Sequence, residues 1–124
     1  MENPNNNATI AEELYNLSML EEMDDEEYLV EVLTIFLKEA QLELKEMREA
    51  LHSRKPDLLS QKAHRMKSSA GVIQAEKLME YLHSIEMLGR GGTINDELTS
   101  LVENTRQHYN LIELALKKHL KDLK

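Results

Sequence analysis

The chain has 124 residues, 41% of them hydrophobic and 31% charged, with five histidines, no cysteine and a net charge of −8. That length suits one domain with a modest core, the balance is that of a folded chain, and the lack of cysteine excludes disulfides and thiolate metal sites. The acidic total argues against a nucleic-acid binder, the opening MENPNNNATI lacks the basic-then-apolar pattern of a signal peptide, and no apolar run is long enough to span a membrane, so a cytoplasmic monomer is expected.

Residues 1–8 read as an Asn-rich, disordered tail, and 9–124 as a single helical domain. Thr9 and Glu12 have capping-box spacing, which predicts a short first helix to about Leu20 with Ile10, Leu14 and Leu17 on one face. An acidic turn follows, in which Asp24 or Asp25 can cap the next helix. The second helix is predicted over about 25–52. Its core stripe is Leu29, Leu33, Phe36, Ala40, Leu44, Met47 and Leu51. Ile35 and Leu42 form a second, narrower stripe on nearly the opposite side. They either pack under the first helix or form a docking surface for a partner.

Pro56 fits the first turn of a third helix with Leu59, Ala63, Met66, Ala70 and Ile73 inside and Gln61, His64, Ser68 and Gly71 outside. A fourth helix is predicted over about 75–88, burying Leu78, Leu82 and Ile85, and Gly89-Arg90-Gly91-Gly92 reads as its stop. A fifth runs from near Asn95 to about Lys121, lined by Leu98, Leu101, Thr105, Tyr109, Ile112, Leu116 and Leu120. No strand pattern competes. Four amphipathic helices with short connections predict an all-α, up-and-down four-helix bundle with a short additional N-terminal helix.

Two Glu-x-x-His pairs, Glu49/His52 and Glu80/His83, have the spacing used by di-iron bundles, but Glu49 and Glu80 fall on outward faces, so no metal centre is expected. Ser68 lies one turn from His64, yet no acid is placed to orient the imidazole as a nucleophile triad requires. The GRGG turn is too short to cradle a phosphate and follows no strand.

His64 remains. The other histidines, His52, His83, His108 and His119, read as filler at helix ends or beside core positions. His64 faces water next to core Ala63, with Lys67 one turn on and the small Ser68 and Gly71 leaving room for a large object to approach. It is either an ordinary surface histidine or a nucleophile for transient phosphorylation. Residues 54–67 carry Arg54, Lys55, Lys62, Arg65 and Lys67 against Asp57 alone, five positive charges less one, or +4 on an acidic chain. Such a patch suits an acidic partner or a solvated face. Lys62, Arg65 and Lys67 disfavour a second positive charge on the ring, and Lys67 can bond the oxygens of an attached phosphoryl group. The reading requires an imidazole free in solvent; a ring gripped by a neighbouring acid would count against it.

The segment AHRMKSSAGVIQA (63–75) resembles the signature of histidine-containing phosphotransfer (HPt) domains in its Ala63, His64, Lys67, small Ser68-Ser69-Ala70, Ile73 and Ala75. Upstream, Tyr28-Leu29-Val30-Glu31-Val32-Leu33 and Phe36-Leu37 are similar to the family's Leu-rich helix, and Leu78, Leu82, Ile85-Glu86 and Arg90 to its fourth. The resemblance implies a phosphorelay carrier that shuttles a phosphoryl group between receiver aspartates through His64, with Lys67 steadying it, Glu86 facing the site and Arg65 and Arg90 adding to the docking surface. It implies response-regulator receiver domains and a hybrid sensor kinase as partners, no cofactor of its own, Mg²⁺ on the receiver, and no kinase domain. Two departures stand out: Ser68 and Gln74 replace the family's usual glycines, which leaves open a module that docks receivers without being phosphorylated.

Overall fold

The computed structural model describes residues 14–123. The tail and the Thr9–Glu12 capping box lie outside them. Five α-helices follow in chain order: α1 (Ser18–Glu21), α2 (Glu26–His52), α3 (Pro56–Val72), α4 (Glu76–Arg90) and α5 (Asp96–Leu123). There is no strand among the described residues. Each long helix packs on its chain neighbour, and α5 closes back onto α2, while the diagonal pairs α2/α4 and α3/α5 stay apart. That ring is the up-and-down four-helix bundle the periodicity predicts.

Local chemistry sets the ends. The Asp25 carboxylate accepts from the Tyr28 N–H at 3.0 Å and opens α2. Pro56 stands in the first turn of α3, where a missing N–H costs nothing. The Asn95 side chain accepts from Leu98 N–H at 2.9 Å at the start of α5. The first helix departs from expectation. Residues 15–17 are not helical; Asn16 donates its N–H to the Ile73 carbonyl at 2.9 Å and its side chain accepts from Ser18 N–H. This ties the segment to the end of α3 and buries Leu14, Tyr15 and Leu17 against the bundle.

The predicted stripes form the core, with Leu59, Ala63, Met66, Ala70, Ile73, Leu78, Leu82 and Ile85 fully buried. Leu51, Leu101 and Leu120 are only half-buried, and Leu37, Ala50 and Val102 join the core unpredicted.

Two connections share one turn, and the third has a left-handed residue at a similar place. After α2, Lys55 N–H reaches the Ala50 carbonyl at 2.9 Å and Arg54 N–H the Leu51 carbonyl at 3.1 Å; after α3, Ala75 N–H reaches Ala70 at 3.1 Å and Gln74 N–H reaches Gly71 at 3.1 Å. Both are Schellman closures, which need a left-handed residue just past the helix. Arg54 and Gln74 hold that position at φ +55° and +50°; after α4 it is Gly92, at +82°. Gln74 therefore occupies a backbone conformation that glycine adopts without strain.

The predicted stop holds within the GRGG stretch, two residues past its first glycine: α4 continues through Gly89 to Arg90, and Gly91 and Gly92 form the turn. Gly89 is buried, and a Cβ there would lie 2.9 Å from the Pro56 carbonyl oxygen and 3.0 Å from Ser60 Cβ. It is a close-approach glycine that lets the end of α4 lie against the first turn of α3.

Candidate functional site

The close approach at Gly89 sets two polar stripes face to face. On α3, Ser60, His64 and Lys67 recur at four- and three-residue steps; on α4, His83, Glu86 and Arg90 recur at three and four. Such steps place residues on one helix face. Ser60 Oγ donates to the Glu86 carbonyl at 2.9 Å and locks the two helices in register.

Glu86 is the centre of the cluster. Its side chain is 3% exposed, and it accepts from three sides: Lys67 Nζ at 2.7 Å on Oε1, and Arg90 Nη2 at 2.7 Å and His64 Nδ1 at 3.0 Å on Oε2. The hydrogen bond from Lys67 holds its carboxyl below the ordinary carboxylate range, against burial, which pushes it up. A buried carboxylate is tolerated because its lone pairs are filled by cationic donors.

This corrects the expectation that no acid orients the imidazole. The acid is Glu86, which arrives from α4 as the resemblance implies and not from the helix that carries His64. The grip is on one nitrogen only. The His64 side chain is 60% exposed, and no hydrogen bond engages Nε2 among the described residues. When the ring is neutral and Glu86 ionised, the carboxylate accepts from Nδ1–H and the Nε2 lone pair faces outward. The ring is therefore not free of acids as expected; an acid at Nδ1 sets the tautomer a nucleophile needs and leaves the other nitrogen open.

The cations also differ from expectation. Lys67 is not a loose charge beside the ring: it is held to Glu86, with His83 Nδ1 3.3 Å from its ammonium. His83, read as filler, thus belongs to the cluster; its place three residues before Glu86 was the available signal. Lys62 turns away to pair with Glu46 at 2.8 Å. Arg65 is exposed and lines clefts on both sides of His64.

Ser68 is exposed, its Oγ lying 3.4 Å from the His64 carbonyl, along its own helix. Gly71 does not clear the outer face as expected. A Cβ there would meet Met79 Cε of α4 at 3.7 Å, an ordinary contact. Ile35 and Leu42 are 48% and 56% exposed, so neither is packed away under a helix among the described residues, and Leu42 lines a cleft with His64. Glu49, His52, Glu80 and His83 are exposed, and among the described residues no three metal-ligating side chains are grouped to hold an ion. No helix among the described residues is long and apolar enough to cross a membrane.

The crystal structure of histidine-containing phosphotransfer protein B (HptB) from Pseudomonas aeruginosa PAO1 is similar in fold, with a TM-score of 0.79 over 86% of this chain and 90% of that chain at 22% sequence identity. No curated protein matches the chain. The family model described as the Hpt domain matches residues 31–124, which take in all four bundle helices from early α2 onward. The chain belongs to the Hpt domain family, and its function is histidine phosphotransfer in phosphorelay signalling.

Proposed function

We propose that the chain is a phosphorelay carrier that takes a phosphoryl group from a receiver-domain aspartate onto Nε2 of His64 and gives it to a second receiver aspartate. The observation that carries this is the half-held ring: Nδ1 fixed to Glu86 and the other nitrogen open to solvent. In the forward step, the Nε2 lone pair forms the N–P bond as the P–O bond to the aspartate breaks, and the aspartate leaves as a carboxylate. Nδ1 keeps its proton. The phosphorylated ring then carries positive charge, which Glu86 offsets across the Nδ1–H bond. The return step is the reverse, onto another carboxylate.

Positioning and charge neutralisation dominate such a transfer, so the protein needs no further covalent group. Lys67 and Arg90 against Glu86 make two positive charges less one, leaving the α4 side of the ring positive toward an incoming phosphoryl group. Lys67 has a third N–H to offer it. Mg²⁺ comes with the receiver, and the chain acts as carrier rather than kinase. Ile35 and Leu42 are the apolar part of the receiver-docking face, and Arg65 its basic part.

Incubation with a phosphorylated receiver tests the reading. Acid-labile label should appear on the wild-type chain and be absent from His64→Gln. Label that survives the substitution refutes the carrier, and receiver binding with no label at all assigns the chain to a docking module.

A further inference from the structure

The α2 side of His64 has chemistry the transfer step does not use. Glu39, Glu43 and Glu46 recur along α2 at the spacing of one helix face, opposite Lys62 and Arg65 of α3. Glu46 is neutralised by Lys62. Glu43 is not neutralised. It is 5% exposed and, among the described residues, makes no ion pair and has its Oε2 buried without a hydrogen-bond partner. Buried carboxyl oxygens are normally satisfied, so this one is short of a donor. Burial pushes the Glu43 carboxyl up to about 7, helped by Glu39 and Glu46 and opposed by Arg65 and Lys62. The chain's own cations therefore only partly compensate it.

Glu43 lines a cleft of about 500 Å³ between α2 and α3, together with Leu42, His64, Arg65 and Ser69. A butyl-length side chain ending in an ammonium or guanidinium fits such a space. Whatever seats on His64 also covers this cleft, because the two share a wall.

We propose that the cleft receives a basic side chain, lysine or arginine, presented by the receiver domain that docks on His64, with Glu43 as the anion that accepts it. This rests on the carrier reading for the identity of the partner. The cation supplies the counter-charge that burial withholds from the carboxylate. It also removes negative charge from beside the phosphoryl group at the moment of transfer. Receivers without a basic residue at that point would leave Glu43 uncompensated under the interface, which disfavours them.

The test uses butylguanidinium chloride as probe on the intact chain, followed by amide NMR against sodium chloride at equal ionic strength. Saturable shifts are expected at Leu42, Glu43, Arg65 and Ser69. The titration of the Glu43 side-chain carboxyl should move to lower pH when the probe is present. Glu43→Gln, a neutral isostere of the protonated acid, should bind the probe at least about tenfold more weakly, the loss of one charge-assisted hydrogen bond. Absence of saturable shifts, or equal binding by Glu43→Gln, overturns the proposal. The probe needs no phosphoryl donor, so failure here is distinct from failure of His64 to take label.

Discussion

Replacing Gln74 by glycine isolates one backbone angle. Gln74 sits at φ +50°, closing α3 through N–H bonds from Gln74 to Gly71 and from Ala75 to Ala70, both 3.1 Å. Both are backbone bonds and survive the substitution, and among the described residues no side-chain hydrogen bond of Gln74 is lost with it. A non-glycine residue in the left-handed region costs about 1–2 kcal/mol, and glycine's extra freedom in the unfolded chain takes back about 0.5–1 kcal/mol. The net expectation for Gln74→Gly is a gain of about 0.5–1 kcal/mol, or a rise in Tm of about 2–4 °C. Thermal unfolding followed at 222 nm measures it. Gln74→Ala removes the side chain but keeps the strained angle, and should gain nothing. Gly92→Ala places a Cβ on the same turn after α4, at φ +82°, and should lose about 1 kcal/mol. Equal gains from Gln74→Ala and Gln74→Gly, or no gain from glycine, would refute the account. Label uptake by His64 should hardly change, because Gln74 closes the far end of the helix.

Gly89→Ala should destabilise by about 1–2 kcal/mol and slow labelling, since its Cβ meets Pro56 O and Ser60 and pries Glu86 from His64; Gly71→Ala, with only an ordinary contact to Met79, should stabilise by up to about 1 kcal/mol in the same melts. Glu86→Ala leaves Lys67 and the imidazole without their acceptor and should cost about 2–4 kcal/mol in urea unfolding, with label uptake falling further than in Glu86→Gln, which keeps an acceptor for Nδ1–H. Because the Glu86 carboxyl is held below its ordinary value, its contribution is present above the ordinary carboxylate range and lost as pH falls through the folded value; Glu86→Ala should be the less acid-sensitive protein. Glu43 has the opposite sign. Its carboxyl is raised from 4.5 to about 7, so its contribution is full below 4.5 and lost as pH rises through about 7. Glu43→Gln should flatten that fall, at most about 3 kcal/mol, in unfolding measured across the interval. Ile35→Asp and Leu42→Asp should weaken receiver binding by tenfold or more by calorimetry with unchanged circular dichroism, and a loss of helicity instead would assign both to packing.

Much of the fold was legible because periodicity and end signals report local physics. The stripe from Leu29 to Met47 is inside because its spacing can only be one helix face, and Asp25 and Pro56 open helices where their side chains satisfy or spare a terminal N–H. What was not legible depends on a neighbour. Residues 15–17 leave the helix because Asn16 bonds to Ile73, more than fifty residues on. Gly89 reads as a stop by composition, and only the carbonyl of Pro56 lying against it shows that it is a contact.

The same limit explains the site. His64 and Lys67 were found because they share a helix face, and a four-residue window can see them together. Glu86 entered only through the resemblance, because placing it from the residues alone needs the knowledge that α3 and α4 run antiparallel at glycine distance, which sets Ser60–His64–Lys67 against His83–Glu86–Arg90. A carboxylate on that face looks like surface charge until the second helix buries it. Burial then reverses its meaning: an exposed acid would draw cations loosely, whereas one at 3% exposure must take every donor it can reach. Lys67, Arg90 and Nδ1 of His64 are therefore organised by the need to satisfy one oxygen pair, and the open Nε2 is what remains when that need has been met.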